Sequence, residues 1–141
     1  MNEETVELLT LGGTGASLRI SASRRLMVGV VEDPWFDAAI TVDAYPFAGT
    51  IDTILTLSEL REWAQAMRSV DDLSHRVALG GNRAAEVLID IERQTGGSEG
   101  ALALEVSVTP SGDDPDPYLR FLIFDVAPFW NETAARIDGL N

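Results

Sequence analysis

Hydrophobic and polar residues alternate with a period of two through most of the chain. Val6 and Leu8 are separated by Glu7, and Leu18, Ile20 and Ala22 are separated by Arg19 and Ser21. This pattern predicts two half-buried strands around the turn Leu11-Gly12-Gly13-Thr14-Gly15, a hairpin. Leu26 to Val31 is apolar on both faces, as expected of a central strand. Asp33-Pro34 ends that run. Phe36, Ala38, Ile40 and Val42 then alternate with Asp37, Ala39, Thr41 and Asp43. After the turn Ala44-Tyr45-Pro46, Phe47, Gly49, Ile51, Thr53 and Leu55 share one face while Thr50 and Asp52 point away. These two segments are expected to pair antiparallel.

At Leu60 the period changes to 3.6. Leu60, Trp63, Ala64, Met67 and Val70 form the apolar stripe of a helix over 57–70, with Glu59, Arg61, Glu62 and Gln65 on the wet side. Thr56 and Glu59 have the spacing of a capping box, and Leu55 and Leu60 that of the hydrophobic staple. His75 to Leu79 fits a short strand or a turn. Val87, Ile89 and Ile91, then Leu102, Leu104, Val106 and Val108, give a second hairpin across Thr95 to Gly100. Leu119 to Val126 is apolar on both faces apart from Arg120 and Asp125, which predicts another central strand. Phe129, Trp130, Thr133, Ala134, Ile137 and Leu140 have helical spacing, with Asn131 as cap and Gly139 as stop. Hairpin-linked strands around one long helix argue for an α+β fold. The expectation is an antiparallel sheet of about six to eight strands, with a helix over 57–70 and a short C-terminal helix. At 141 residues without repeats or long linkers, residues 1–141 are expected to form a single domain.

Composition narrows the chemistry. The chain has no Cys, which removes disulfides, thiolate metal sites and cysteine nucleophiles. All ten basic residues are Arg, so lysine Schiff bases and a phosphate-loop lysine are excluded. A net charge of −13 opposes binding to nucleic acid or to an anionic membrane, and it favours encounter with a basic protein. No apolar run approaches the ~20 residues of a membrane span. The acidic start MNEETVE lacks the basic segment of a secretory signal, so a soluble, cytoplasmic protein is expected.

Few residues suggest a site. Asp113, Asp114 and Asp116 put three carboxylates into four positions. They read as a solvated turn, as an acidic contact for a partner, or as calcium ligands, although the EF-hand spacing is absent. His75 is the only imidazole, which rules out a two-histidine metal site, and no GxSxG elbow accompanies it. Glu32, Asp33, Asp52, Asp90, Glu92 and Asp125 are candidates for paired acid–base work, but 23 acids make chance pairing common. Gly12 to Gly15 lacks the spacing of a phosphate loop. Trp63 belongs to the helix's apolar face, whereas Trp35, just after Glu32-Asp33-Pro34, suits a protein interface. No cofactor and no metal is expected.

One resemblance adds to this reading. Trp35-Phe36, Phe47-x-Gly49-x-Ile51, Leu60-x-x-Trp63-x-x-x-Met67, Leu79-Gly80, Leu88-Ile89-Asp90-Ile91-Glu92 and Phe121 to Asp125 follow one another over roughly residues 30 to 126. In this order they resemble an uncharacterised family of small actinobacterial single-domain proteins. That family is similar to the immunity proteins of wall-associated polymorphic toxins. The resemblance implies a non-enzymatic protein that neutralises a cognate toxin by direct binding, and it carries over no residue-level site. The net charge of −13 points to a basic toxin, and the residues themselves make Asp113, Asp114, Asp116 and Trp35 the candidate partner contacts. One alternative is a small-ligand carrier or enzyme with a carboxylate-lined pocket between helix and sheet. Another is a structural protein that pairs with a second copy through a sheet edge or the Trp35 region.

Overall fold

The alternating segments form eight strands and the two stretches of helical period form two helices. The structure, a computed structural model, describes residues 5–12, 15–24, 32–69, 75–80, 86–93, 102–109, 119–126 and 129–140. The order is β1 (Thr5–Gly12), β2 (Ser17–Arg24), β3 (Trp35–Ala44), β4 (Phe47–Thr56), α1 (Leu57–Arg68), β5 (His75–Gly80), β6 (Glu86–Arg93), β7 (Leu102–Thr109), β8 (Leu119–Val126) and α2 (Trp130–Asp138). The strands are antiparallel throughout, and the fold is α+β.

The strands divide into two sheets of four, β1-β2-β3-β4 and β5-β6-β7-β8, where one sheet was expected. Helix α1 causes the division, because it takes the chain away from β4 before the second meander begins. The molecule thus runs twice through four strands and a helix. This repeat of topology has no counterpart in the sequence. Helices α1 and α2 pack on each other, α1 also touches β5, α2 reaches back to β1, and β1 lies against β8.

Period-two alternation places one face of each sheet in the core. Leu18, Ile20 and Ala22 of β2 lie opposite Val42, Ile40 and Ala38 of β3, and all six are buried. In the second sheet the row Val77, Ile89, Val106, Phe121 runs across all four strands. Both inner faces join Leu57, Leu60, Trp63, Ala64 and Met67 of α1 and Ala134 and Ile137 of α2 in one apolar cluster. In β1 a bulge between Glu7 and Leu9 shifts the alternation, so that Leu8, Leu9 and Leu11 are all buried. Gly15, at φ 98°, supplies the left-handed conformation that the β1–β2 connection needs.

The start of α1 follows its capping signature. Glu59 N–H donates to Thr56 Oγ1 at 3.2 Å, and Thr56 N–H donates back to Glu59 Oε1 at 3.1 Å. Two further N–H groups of the first turn are satisfied from a distant segment. Ser58 N–H donates to Asp33 Oδ1 at 2.9 Å, and Leu57 N–H donates to the Pro34 carbonyl at 2.9 Å. The acid before β3 is therefore a second cap of α1.

Two further expectations change. Strand β8 is an edge strand of its sheet and not a central one, and its outward residues Leu122 and Phe124 are exposed. Its doubly apolar pattern came from a face that no described residue covers. The N-cap of α2 is Phe129, without a side-chain cap bond, and Asn131 lies inside the first turn. Apolar packing of Phe129 sets this helix start: its ring meets Trp130 edge-on, with centroids 5.8 Å apart. Gly139 does end α2, through right-handed geometry, with its N–H donating to Ala135 O. The segment 26–31, expected as a central strand, lies outside the described residues.

Candidate functional site

Strand β4 lines two hollows. Its inward positions are set by the register with β3: Phe47 is opposite Ala44, Gly49 opposite Val42, and Ile51 opposite Ile40. The three β3 residues are buried. Along β4, burial fades from Leu55, at 1 % exposure, to Phe47, at 61 %. Among the described residues, therefore, nothing covers the core-facing side of the sheet at the hairpin end. A groove of about 830 Å³ opens there, walled by Val42, Phe47, Gly49 and Ile51 on one side and by Val108 and Leu119 on the other. Tyr45, at the tip of the β3–β4 turn, is 93 % exposed beside it.

The second hollow, about 520 Å³, lies on the outer face of the first sheet. Small side chains form its floor: Ser21 lies opposite Ala39, which lies opposite Asp52, and Ser23 lies opposite Asp37. Asp37 and Asp52 bring carboxylates to its lining, beside Ala38, Ala39 and Ile54. Neither hollow lies between a helix and a sheet, where a carboxylate-lined pocket was expected. Among the described residues no group of three or more His, Asp or Glu side chains could hold a metal ion.

The residues singled out from sequence are dispersed. Trp35 begins β3 opposite Thr56, is 42 % exposed, and sits at the far end of the hairpin from Tyr45 and Phe47. Asp33 is engaged with the α1 N-terminus, and Asp52 is on β4. Asp90 accepts from Arg76 Nε at 2.7 Å across β5 and β6. This hydrogen bond, with the attraction of the same carboxylate, pushes the Arg76 pKa up. A raised folded pKa gives stabilisation that is constant across neutral pH and is lost as pH rises above the arginine range. Arg120 faces Glu105 at 3.3 Å, which continues the ion-pair row along the outer face of the second sheet. These pairs occupy acids that sequence alone could not separate from functional ones. His75 opens β5 opposite Ile91. The side chains of His75, Glu92 and Asp125 lie outside the described residues, as do Asp113, Asp114 and Asp116.

Sequence reasoning missed Tyr45 and Phe47. Phe47 carries the alternation of a core residue, and nothing local marks the absence of a lid over it. No helix among the described residues is long and apolar enough to cross a membrane.

No curated protein matches the chain. A family model does match, over residues 6–110 of 141, a span from β1 through β7 that includes β4 and most of the groove. The chain belongs to DUF5959, a family of unknown function.

Proposed function

We propose that this protein acts by binding, without turnover, and that its partner is a basic protein, in the manner of an immunity protein that covers the working surface of a toxin. The observation that carries this reading is the exposed aromatic and aliphatic surface of Tyr45, Phe47 and the groove beside them, on a chain of net charge −13. Aromatic side chains are the residue type that anchors protein interfaces, and a strong negative field accelerates encounter with a basic partner. The order of residues resembles an uncharacterised family that is similar to immunity proteins, which supports a toxin as that partner. The cytoplasm is the proposed compartment. Asp113, Asp114 and Asp116, three carboxylates within four positions, serve as steering charges in this reading.

Affinity capture with the tagged protein from its source cells, at low and high salt, tests this reading. The expected result is one basic protein retained at low salt, released at high salt, and lost by a Tyr45→Ala/Phe47→Ser variant that still folds. That protein should be toxic when expressed alone and harmless when co-expressed with this chain. In the purified pair, Asp113, Asp114 and Asp116 changed together to Asn should slow association and flatten its salt dependence. Equal retention by the variant, or a captured protein with no toxicity to suppress, overturns the reading. A second reading rests on the hollow bounded by Ser21, Ser23, Asp37 and Asp52, which suits a small polar or cationic ligand. Specific binding of such a ligand, abolished by Asp52→Asn, would favour it.

A further inference from the structure

We infer that the partner is held by strand addition: an extended segment of a basic protein pairs with the free edge of β4, its apolar side chains entering the groove and its basic side chains lying over the acidic outer face. This deepens the binding function proposed above and rests on it. The first observation concerns the sheet edges. Four strands form edges, β1, β4, β5 and β8. Strands β1 and β8 lie against each other, and β5, only six residues long, packs on α1. Strand β4 is ten residues long, and among the described residues no strand pairs with its outer side. An antiparallel strand turns the N–H and C=O of every second residue away from its one neighbour, so β4 directs such groups away from β3. Natural edges are commonly protected by Pro, by Lys, by bulges or by shortness. The segment FAGTIDTILT has no Pro and no basic residue, and its register with β3 is unbroken.

The second observation is what lies on either side of that edge. Side chains of an added strand alternate between the two faces of the sheet. One set would meet Val42, Phe47, Ile51, Val108 and Leu119, an uncharged groove that is already open. The other set would lie over the outer positions of the hairpin, where Asp43 and Asp52 project and neither strand carries a basic residue; Asp37 on the same face already has a partner, and Arg19 of β2 stands opposite Thr41. From residue 32 to 56 the sequence holds five acids and no Arg. This combination selects a segment in which apolar residues alternate with Arg or Lys. A second copy of the same chain fits less well, because two molecules of charge −13 repel and the edge has no base to offer to Asp52.

Gly49 provides a specific test. It sits in the groove wall on β4, and a Cβ placed there meets nothing within 4 Å. Gly49→Leu should therefore keep the fold and fill the groove. The probe is a synthetic peptide of alternating valine and arginine, matched in length to β4. Controls are a valine–glutamate peptide and a valine–arginine peptide N-methylated at every second amide, which retains charge but cannot pair as a strand. The readouts are fluorescence anisotropy, amide exchange over residues 47–56, and light scattering of the free protein. Strand addition predicts slowed exchange in β4 with the first peptide only. It also predicts weaker binding, by roughly tenfold or more, for the N-methylated peptide and for Gly49→Leu. Equal binding of the N-methylated peptide, protection elsewhere than β4, or a β4-paired dimer of the free protein overturns it. If the captured basic partner binds Gly49→Leu unchanged and leaves β4 exchanging freely, strand addition fails while the binding function stands. If the peptide pairs with β4 but no basic protein is captured, the binding function fails while the assignment of the edge stands.

Discussion

Four bonds at the start of α1 show how local and distant residues share one task. Thr56 and Glu59 cap the helix reciprocally, while Asp33 and Pro34 satisfy two more N–H groups from the segment before β3. The first pair was legible because it lies within four residues. The second was not, because nothing in the sequence ties position 33 to position 58 before the sheet has formed. Thr56→Ala and Asp33→Ala should each destabilise by about 1 kcal/mol, the usual cost of a lost N-cap acceptor. Urea denaturation of the two single variants checks this, and a loss from Thr56→Ala alone would mean that water replaces the Asp33 bond. Trp63 poses a different residue-scale question. Its ring is buried on the α1 face, as the spacing predicted, but its indole N–H has no acceptor among the described residues. A buried donor without a partner costs ~1–3 kcal/mol, so removing it offsets part of the lost packing. Trp63→Phe should cost under about 1 kcal/mol, against ~3–5 kcal/mol for Trp63→Ala. A Phe variant as unstable as the Ala variant would show that the N–H is satisfied.

At the scale of elements, alternation tells which way a side chain points and leaves open whether anything lies over it. Phe47, Gly49, Ile51, Thr53 and Leu55 were correctly read as one face of β4, yet only the Leu55 end of that face is closed. The candidate site is the open end, so the pattern that gave the strand also hid the site. Strand β8 repeats the lesson in reverse: residues apolar on both faces suggested a strand covered on both sides, and Leu122 is instead 51 % exposed. Coverage depends on how α1 divides the strands between two sheets, which no window of a few residues contains. Stability should follow coverage and not hydrophobicity. Leu55→Ala should cost ~2–5 kcal/mol, as deletion of a buried aliphatic group does, whereas Phe47→Ser should cost under about 1 kcal/mol. Denaturation midpoints of these two variants, eight residues apart on one strand face, measure the gradient directly. Equal losses would mean that the groove is closed in solution, which would leave no room for a strand beside β4.

For the molecule as a whole, the central question is whether the two runs of four strands and a helix behave as one unit. Their apolar faces form a single cluster, and the contacts that join them are reciprocal: α1 touches β5, α2 reaches β1, β1 meets β8, and Arg68 at the end of α1 pairs with Asp138 at the end of α2. Neither half could bury its helix without the other. One cooperative transition should follow, with far-UV circular dichroism and tryptophan fluorescence coincident in urea. Trp35 and Trp63 lie in the first half and Trp130 in the second, so Trp130→Phe leaves reporters in the first half alone and Trp35→Phe/Trp63→Phe leaves one in the second. Two separated transitions would mean that each half holds a core of its own. Charge acts on this unit as a whole, since a net −13 within one small molecule repels itself. Added salt screens that repulsion over about 10 Å at 0.1 M, so the midpoint should rise as salt is added from very low concentration, in both tryptophan variants alike. The same screening weakens attraction to a basic partner. One salt series on the free protein and on the complex therefore separates the two roles of the charge: stability should rise while affinity falls. An affinity indifferent to salt would show that the partner is held by the apolar groove without help from the acids around it.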